Sequence, residues 1–373
     1  MSKIFKLSAL YLFLILCACN SNNSKKNESN KQAQTADLIL KLHQIITPFV
    51  DKGFVGVVLF ADSSDIIMNR AYGKSKNNHD SNTTFWIASN TKPITAIAIL
   101  KLQEDGKLSV KDSITKFLKN VPSDKKNITI EQLLTHLSGL PSDFIAEGEQ
   151  NMELAVKQIL SQKLISEPGK EFNYTNDGYI LLAAIIELSS NKKYESYIRD
   201  AVFTKSGMTN SGFWGGDDIA VDPVNDSAKY YPFYPKIFRD GKTLENWNNK
   251  GAAGISSNTA DLYKMMIALN SGQLLNQISL RELFRPRFEL SNTNDTILSF
   301  AYGWAIVQSK ENVLEIRHRG RGDWMHNNSI YFLKNGYKII VWAKDTGPNN
   351  NAWSTEICKS LIQELNLLEK ANR

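Results

Sequence analysis

The chain has 373 residues, of which 42% are hydrophobic and 22% are charged, and its formal net charge is +6. This length and apolar content are enough for a large hydrophobic core, in one large unit or in two interleaved domains. The 44 lysines and arginines exceed the 38 acidic residues only slightly, so the composition gives no indication of nucleic-acid binding.

The first 36 residues have the composition of an export signal followed by a linker. Two lysines precede the apolar run Leu7–Ala18, which is shorter than the roughly 20 residues that a membrane-spanning helix needs. The run ends in Leu-Cys-Ala-Cys, which resembles the lipobox of bacterial lipoproteins; the alternative is an ordinary secretory signal. We expect residues 1–18 to be a signal peptide, Cys19 to carry lipid, and the polar residues 19–36 to form a disordered tether.

These expectations describe an exported protein that is lipid-anchored to a bacterial membrane and faces the periplasm or the cell surface. Besides Cys19, the mature chain would contain one cysteine, Cys358. The folded body therefore has no intrachain disulfide available, and its stability must come from packing.

Hydrophobic periodicity predicts a sheet built from both ends of the chain. Ala36–Val50 has helical spacing, and Gly53–Ala61 and Asp65–Ala71 have the pattern of a strand pair. Apolar residues recur at helical spacing from about Lys107 to Leu290. The C-terminal part contains four strand-like runs and a final amphipathic helix: Tyr302–Gln308, Val313–Arg319, Ser329–Leu333, Tyr337–Ala343 and the helix Trp353–Leu368.

This order of elements predicts an α/β fold. Residues 37–106 and 296–373 together would form an antiparallel sheet domain flanked by helices. Residues 107–295 would form a mostly helical domain inserted between the two parts of the sheet domain.

The segment Phe85–Lys92 contains the first candidate site. Ser89 and Lys92 are one helical turn apart, so their side chains can touch. A serine hydroxyl needs a neighbouring base, and lysine can act as that base only where burial or nearby cations lower its pKa. The Ser-x-x-Lys pattern occurs five times in this chain. Only at Ser89 does it follow an apolar approach and lead into an apolar helix, Pro93–Leu102, that predicts burial.

Two further constellations contain candidate polar groups. Tyr174-Thr-Asn176 precedes the apolar segment Tyr179–Leu188, and a loop there can direct a phenol and an amide to one point. The alternative is a helix-capping turn with Asn176 or Asp177 as the N-cap. His318-Arg-Gly320 lies on a late strand, where alternation puts His318 and Gly320 on one face and the neighbouring arginines on the other.

Together these motifs resemble those of the serine β-lactamase-related hydrolases, in the branch of class C β-lactamases, D-alanyl-D-alanine carboxypeptidases and related esterases. Further stretches resemble this family as well, among them Leu133–Pro141 and Gly251–Gly254. The resemblance extends from about Ala36 to Leu368 and implies the β-lactamase-like fold.

The resemblance also implies roles for individual residues. Ser89 would be the acylated nucleophile and Lys92 its proton partner, with Tyr174 as general base and later acid. Asn176, His318, Arg319 and Gly320 would contact the substrate. The backbone N–H groups of Ser89 and Arg321 would form the oxyanion hole.

Several residues make poorer candidates. Lys205-Ser-Gly207 imitates the lysine form of the third motif but is expected to end a helix, with Gly207 as its C-cap. His136 is expected to be a buried, hydrogen-bonded histidine. His318 and His326 are not joined by the acids or cysteines of a metal site, so no metal or cofactor is implied.

The predicted function is hydrolysis of D-amino-acid peptides, esters or amides, by a carboxypeptidase-like or esterase-like enzyme. The alternative is an inert penicillin-binding-type module that senses cell-wall peptide or docks a partner. A β-lactamase is a weaker alternative, because Arg319 replaces a hydroxyl residue that lactam-binding relatives usually have. The expected partners are a small-molecule or cell-wall peptide substrate and a lipid anchor, with no nucleic acid and a monomeric chain.

Overall fold

The computed structural model describes residues 32–74, 79–142, 151–213, 250–293, 295–309, 312–322, 326–344 and 352–371, with the single positions 145, 149, 238, 239, 242, 243 and 247. The predicted signal peptide, residues 1–18, lies outside these residues. Most of the predicted tether does too, but residues 32–36 are helical, so the tether prediction was wrong for its last five positions. These positions are alanine, glutamine and threonine, and the alanines and glutamines extend the apolar-periodic helix that follows them.

The chain divides into two compact units after Asp51. In the first unit, residues 32–51 form helix α1. The second unit is Lys52–Arg373, and it contains every other element described below. Within the described residues, no helix is long and apolar enough to cross a membrane.

An eight-stranded antiparallel sheet dominates the second unit. Its strands are β1 Gly56–Ala61, β2 Ile66–Tyr72, β8 Phe288–Asn292, β9 Ile297–Phe300, β10 Ala305–Gln308, β11 Val313–Gly322, β12 His326–Leu333 and β13 Lys338–Ala343. Their order across the sheet is β2-β1-β13-β12-β11-β10-β9-β8. The N-terminal strand β1 pairs with the C-terminal strand β13, which confirms a sheet assembled from both ends of the chain.

Short strands also occur between the two parts of this sheet. They are β3 Phe85–Trp86, β4 Gly212–Phe213, β5 Phe238–Arg239, β6 Lys242–Thr243 and β7 Ile255–Ser257. Strands β3, β7 and β4 form a small sheet of their own. Through it, the segment before Ser89 is tied to residues 255–257, because Ile87 donates its backbone N–H to Ile255 O at 3.0 Å.

The helices lie mainly in the middle of the chain, as predicted. They are α2 Thr91–Glu104, α3 Ile130–Leu134, α4 Met152–Ser161, α5 Asn176–Ser190, α6 Tyr194–Ile198, α7 Thr204–Ser206, α8 Thr259–Asn270, α9 Gln277–Phe284 and the C-terminal α10 Trp353–Ala371. Helix α2 packs against α5, α6 and α9. Because α2 is apolar on nearly every side, eleven of its residues are buried, as expected for a core helix.

Two strands of the large sheet, β8 and β9, were not predicted, and neither were the short strands β3 to β7. Strand β8 is mostly exposed and contains Glu289, Ser291 and Asn292, so it lacks the alternation that marks a half-buried strand. Strand β9 has only four residues. Since β8 lies before residue 296, the sheet begins earlier than the predicted boundary of the helical insertion.

Candidate active site

Ser89 lies in a single 3-10 turn, Ala88–Asn90, directly before α2. Ala88 has a φ of +46°, a left-handed conformation that is unfavourable for a residue with a Cβ atom. This backbone turns the chain from strand β3 into the helix and presents Ser89 at its start. The predicted contact is present, since Lys92 Nζ lies 3.1 Å from Ser89 Oγ.

Lys92 is fully buried, with 0% of its surface exposed. Its Nζ lies 2.7 Å from Asn176 Oδ1 and 3.0 Å from Ala252 O. None of the described acids forms an ion pair with it, and burial lowers its pKa well below the usual value. A neutral amine has two N–H donors and one lone pair. Asn176 Oδ1 and Ala252 O can only accept, so in the neutral form of the amine they would take both donors and leave the lone pair for the Ser89 hydroxyl.

The Tyr174 loop delivers two groups to the same point. Asn176 is the first residue of α5, and the N-cap position is Thr175, whose side chain makes no capping bond. Asp177 accepts from Gln162 Nε2 at 2.6 Å. The alternative prediction, a capping turn with Asn176 or Asp177 as N-cap, was therefore wrong, because the Asn176 amide is used on Lys92 instead.

Burial raises the pKa of Tyr174 above the usual value of a phenol, and its interaction with the Ser89 side chain offsets this only partly. Lys92 Nζ lies 4.8 Å from the centre of the Tyr174 ring. The phenol therefore keeps its proton at neutral pH, beside an amine that burial tends to deprotonate.

His318 closes the opposite side of the site. It is 5% exposed, and its Nδ1 lies 3.2 Å from Asn90 Oδ1. Burial, followed by the nearby charge of Lys92, lowers its pKa to about 3. Since Asn90 Oδ1 only accepts, Nδ1 carries the proton, and Nε2 of the neutral ring remains an acceptor.

Arg319 lies on the other face of the sheet. It pairs across the strands with Ser329, whose hydroxyl lies 3.0 Å from that of Ser354 in α10. Paired residues place their side chains on the same face, so the Arg319 side chain lies on the α10 face while His318 faces α2. Its role as a substrate-binding side chain stays a prediction: strand alternation directs the side chain towards α10, and Arg319 is also part of the lining of the cavity that contains Ser89.

A cavity of about 570 Å³ lies between the Ser89 turn, the Tyr174 loop and strand β11. It is lined by Trp86, Ser89, Tyr174, Asn176, Ala253, Leu298, Phe300, Ala305, Arg317, His318, Arg319 and Arg321. The pairing of β10 with β11 ends at Ala305 and Arg317. Within the described part of the chain, residues 318–322, including Gly320 and Arg321, pair only with β12. Their other backbone edge is therefore open beside the cavity.

Some residues of the site were missed by sequence reasoning. The Ala252 carbonyl holds Lys92, the Ala253 carbonyl accepts from the Trp86 indole, and Asn90 holds His318. The only sequence signal for the first two was the small-residue stretch Gly251–Gly254. Backbone groups and an asparagine next to the nucleophile have no pattern of their own.

Gly251 allows the stretch Gly251–Gly254 to pack closely against the backbone of Tyr179, and its substitution should be strongly destabilising. Its φ is +75°, and an added Cβ would lie 2.2 Å from Tyr179 O. Gly106 is a matched control, with φ +67° and, among the described residues, nothing within 4 Å of such a Cβ. We expect Gly106→Ala to lower the free energy of unfolding by about 1–2 kcal/mol, and Gly251→Ala by a further 1–3 kcal/mol or so. Urea unfolding checks this; equal losses in the two variants would contradict the account.

The imitation of the third motif lies away from the site. Ser206 ends α7, and Gly207 follows it with a φ of +71° as a left-handed C-cap. Ser206 Oγ donates to Val202 O at 2.6 Å. The prediction that this stretch ends a helix is confirmed.

Comparison with known proteins gives relatives over most of the chain. Residues 42–353 match the family described as Beta-lactamase. The protein PbpX of Bacillus subtilis (strain 168) is 28% identical over 282 residues, which cover 72% of this chain and 69% of PbpX.

Solved structures share the fold. A penicillin binding protein from Bacillus halodurans has a TM-score of 0.69 and 24% identity, with 88% of this chain and 99% of that chain covered. A D-amino acid amidase from Ochrobactrum anthropi SV3 has a TM-score of 0.71 and 20% identity, covering 90% of this chain and 100% of that chain. With the matched segment spanning most of its length, this chain belongs to the Beta-lactamase family, that of the serine β-lactamase-related hydrolases.

Proposed function

We propose that this protein hydrolyses amides and esters of D-amino acids, including peptides with an uncharged end, through an acyl-enzyme on Ser89. The observation that carries the proposal is the fully buried Lys92 amine, 3.1 Å from Ser89 Oγ. Its lowered pKa supplies the base that a serine nucleophile needs.

Acylation would follow from the protonation states of the two groups that contact Ser89. The Ser89 oxygen attacks the substrate carbonyl carbon and passes its proton to Lys92. The backbone N–H groups of Ser89 and Arg321 stabilise the resulting oxyanion. Tyr174 then gives its proton to the leaving nitrogen or oxygen as that bond breaks, and regains one from the Lys92 ammonium.

Deacylation uses the same groups in the reverse direction. Water attacks the ester carbon on Ser89 and gives a proton to the Lys92–Tyr174 pair. Breakage of the ester bond returns a proton to the Ser89 oxygen and releases the acid. No proton is gained or lost by these enzyme groups over the cycle.

The opposite wall of the cavity supports an uncharged substrate end. The pKa of His318 is lowered to about 3, so its ring has no charge at neutral pH. Beside it, Leu298, Phe300 and Ala305 contribute an apolar surface. Arg317, Arg319 and Arg321 also line the cavity, but strand alternation puts them on the opposite face of β11 from His318. A carboxylate placed against the His318 wall would lose hydration without gaining a cation from His318, whereas an uncharged carboxamide or ester would lose less.

The preference for D-amino acids is proposed from the fold relatives, one of which is a D-amino acid amidase. Its test is a comparison of D- and L-phenylalanine amide as substrates of this protein. We expect turnover of the D enantiomer and little of the L enantiomer. A preference for the L enantiomer would remove the D-amino acid part of the proposal.

A matched pair of substrates tests the choice between amidase and carboxypeptidase. N-acetyl-D-Ala-D-Ala should be hydrolysed with a kcat/KM about 10²-fold lower than its C-terminal carboxamide, because its carboxylate would meet the uncharged His318 ring and the apolar side chains beside it. Ser89→Ala is the control and should turn over neither compound.

The other outcomes are also informative. Faster turnover of the free carboxylate would identify a carboxypeptidase. Turnover that persists in Ser89→Ala would contradict the serine mechanism. If native protein binds a penicillin probe without covalent labelling and hydrolyses nothing, it is the inert penicillin-binding module instead.

A further inference from the structure

His136 is fully buried and belongs to the segment that packs against the Tyr174 loop. We propose that His136 is a positioning residue that holds Tyr174 and Asn176 in register with Ser89 and Lys92. The proposal rests on the function proposed for those residues, and His136 itself would touch neither substrate nor reacting atoms.

Three successive residues of the loop contact His136. Its backbone oxygen accepts the N–H of Asn173 at 2.9 Å. Its Nδ1 accepts the N–H of Thr175 at 3.1 Å. Between these two bonds, its ring centre lies 4.3 Å from that of Tyr174, so backbone and ring contacts together fix the loop on both sides of the tyrosine.

The hydrogen bonds to His136 lie at the start of α5, where the helix itself offers no acceptor for the backbone N–H groups. Thr175 is the N-cap of α5, and the backbone N–H groups at a helix start have no intrahelical acceptor. An unpaired N–H at this buried position would cost free energy and would favour a rearranged loop. Since Tyr174 precedes Thr175 and Asn176 follows it, such a rearrangement would move both site residues together.

The neighbouring chain strengthens the same junction. Gly169 donates its N–H to Leu137 O at 2.7 Å, and Asn173 Nδ2 donates to Leu140 O at 2.7 Å. The segment 136–140 therefore anchors the loop at several points, and His136 supplies the bonds nearest to Tyr174.

The role requires a neutral ring with its proton on Nε2. Nδ1 must accept from Thr175, so it carries no proton. The titratable groups that face the ring are Lys92 and His318. Burial first, and then the positive charge that each of them carries when protonated, lowers the pKa of His136 well below the usual value. The remaining surface of the ring meets aromatic side chains, those of Phe172, Tyr179 and Phe300.

Position 136 also offers an informative substitution. Its φ is +59°, a left-handed conformation that asparagine adopts more readily than most residues. The Oδ1 atom of asparagine can replace Nδ1 as the acceptor for Thr175, although its smaller side chain fills less of the aromatic pocket. Leucine is larger and apolar, and it offers no acceptor.

The test compares His136→Asn with His136→Leu, using D-phenylalanine amide and protein shown by circular dichroism to be folded at the assay temperature. If the acceptor matters, His136→Leu should lower kcat by about 10²-fold with KM nearly unchanged, because the loop groups are displaced. The kcat of His136→Asn should be at least about tenfold higher than that of His136→Leu. A role in packing alone predicts the reverse order, since leucine fills the space better.

A second measurement does not depend on activity. In protein labelled with 15N-histidine, the ring resonances of His136 can be identified because they are absent from His136→Asn. They should show an unprotonated Nδ1 and a protonated Nε2. The opposite tautomer, or kcat no higher in the asparagine variant than in the leucine variant, would overturn the proposal. If native protein hydrolyses nothing, the proposed function fails, and the tautomer alone decides whether His136 holds Thr175.

Discussion

Replacing Lys92 by arginine should lower kcat/KM by about 10³-fold or more, although the variant keeps the positive charge. A guanidinium does not give up its proton near neutral pH, so it cannot accept the proton of Ser89. It also carries a permanent charge into a position where the native amine is fully buried and, among the described residues, has no acidic partner.

Lys92→Met separates the loss of the base from a loss of folding. Methionine has a similar volume and no polar group, so this variant should be at least as stable as native protein in urea, because a buried amine is replaced by an apolar chain. It should be as inactive as the arginine variant. Near-native acylation by either variant would remove Lys92 from the mechanism.

The lowered pKa of Lys92 also sets the direction of the pH dependence. The base must be unprotonated, so kcat/KM for an uncharged ester should rise with pH through the pKa of Lys92 and then level off. The pKa of His318 is lowered to about 3 and that of Tyr174 is raised above the usual range of phenols, so neither group changes its charge between neutral pH and pH 9. A fall in kcat/KM between neutral pH and pH 9 would contradict these assignments.

Replacing Tyr174 by phenylalanine should lower kcat/KM for D-phenylalanine amide by about 10²–10³-fold. The ring and its contacts with His136 and Lys92 are kept, and only the hydroxyl, which interacts with the Ser89 side chain, is removed. An amide nitrogen must be protonated to leave, and the Tyr174 phenol is placed to supply that proton.

The leaving group provides the control for Tyr174. A p-nitrophenyl ester has a leaving group that needs little protonation, so Tyr174→Phe should lose much less activity on it than on the amide. Equal losses on both substrates would mean that the hydroxyl orients Ser89 and does not act as the acid.

Much of the fold was predictable because its signals are local. The apolar helix after Ser89 and the strands at both ends have periodicities that one sequence displays directly. Strands β8 and β9 have no such signal, because β8 is exposed and polar and β9 is very short.

The site could be predicted only in part. The pairing of Ser89 with Lys92 follows from helical spacing, and the expectation of a buried, hydrogen-bonded His136 is confirmed. The Ala252 carbonyl on Lys92 joins residues far apart in the sequence, which local patterns cannot show. The sequence did not decide on which face of the sheet the Arg319 side chain lies. The cross-strand partner Ser329 and its contact with α10 place it on the α10 face.

The most direct test of the central claim is identification of the residue that becomes acylated. Native protein, Ser89→Ala and Lys92→Met would be treated with a fluorophosphonate probe at neutral pH, digested, and analysed by mass spectrometry. We predict one adduct in the native protein, on Ser89, none in Ser89→Ala, and very slow labelling of Lys92→Met. An adduct on another residue, or labelling of Lys92→Met at the native rate, would contradict a Ser89 nucleophile activated by the Lys92 amine.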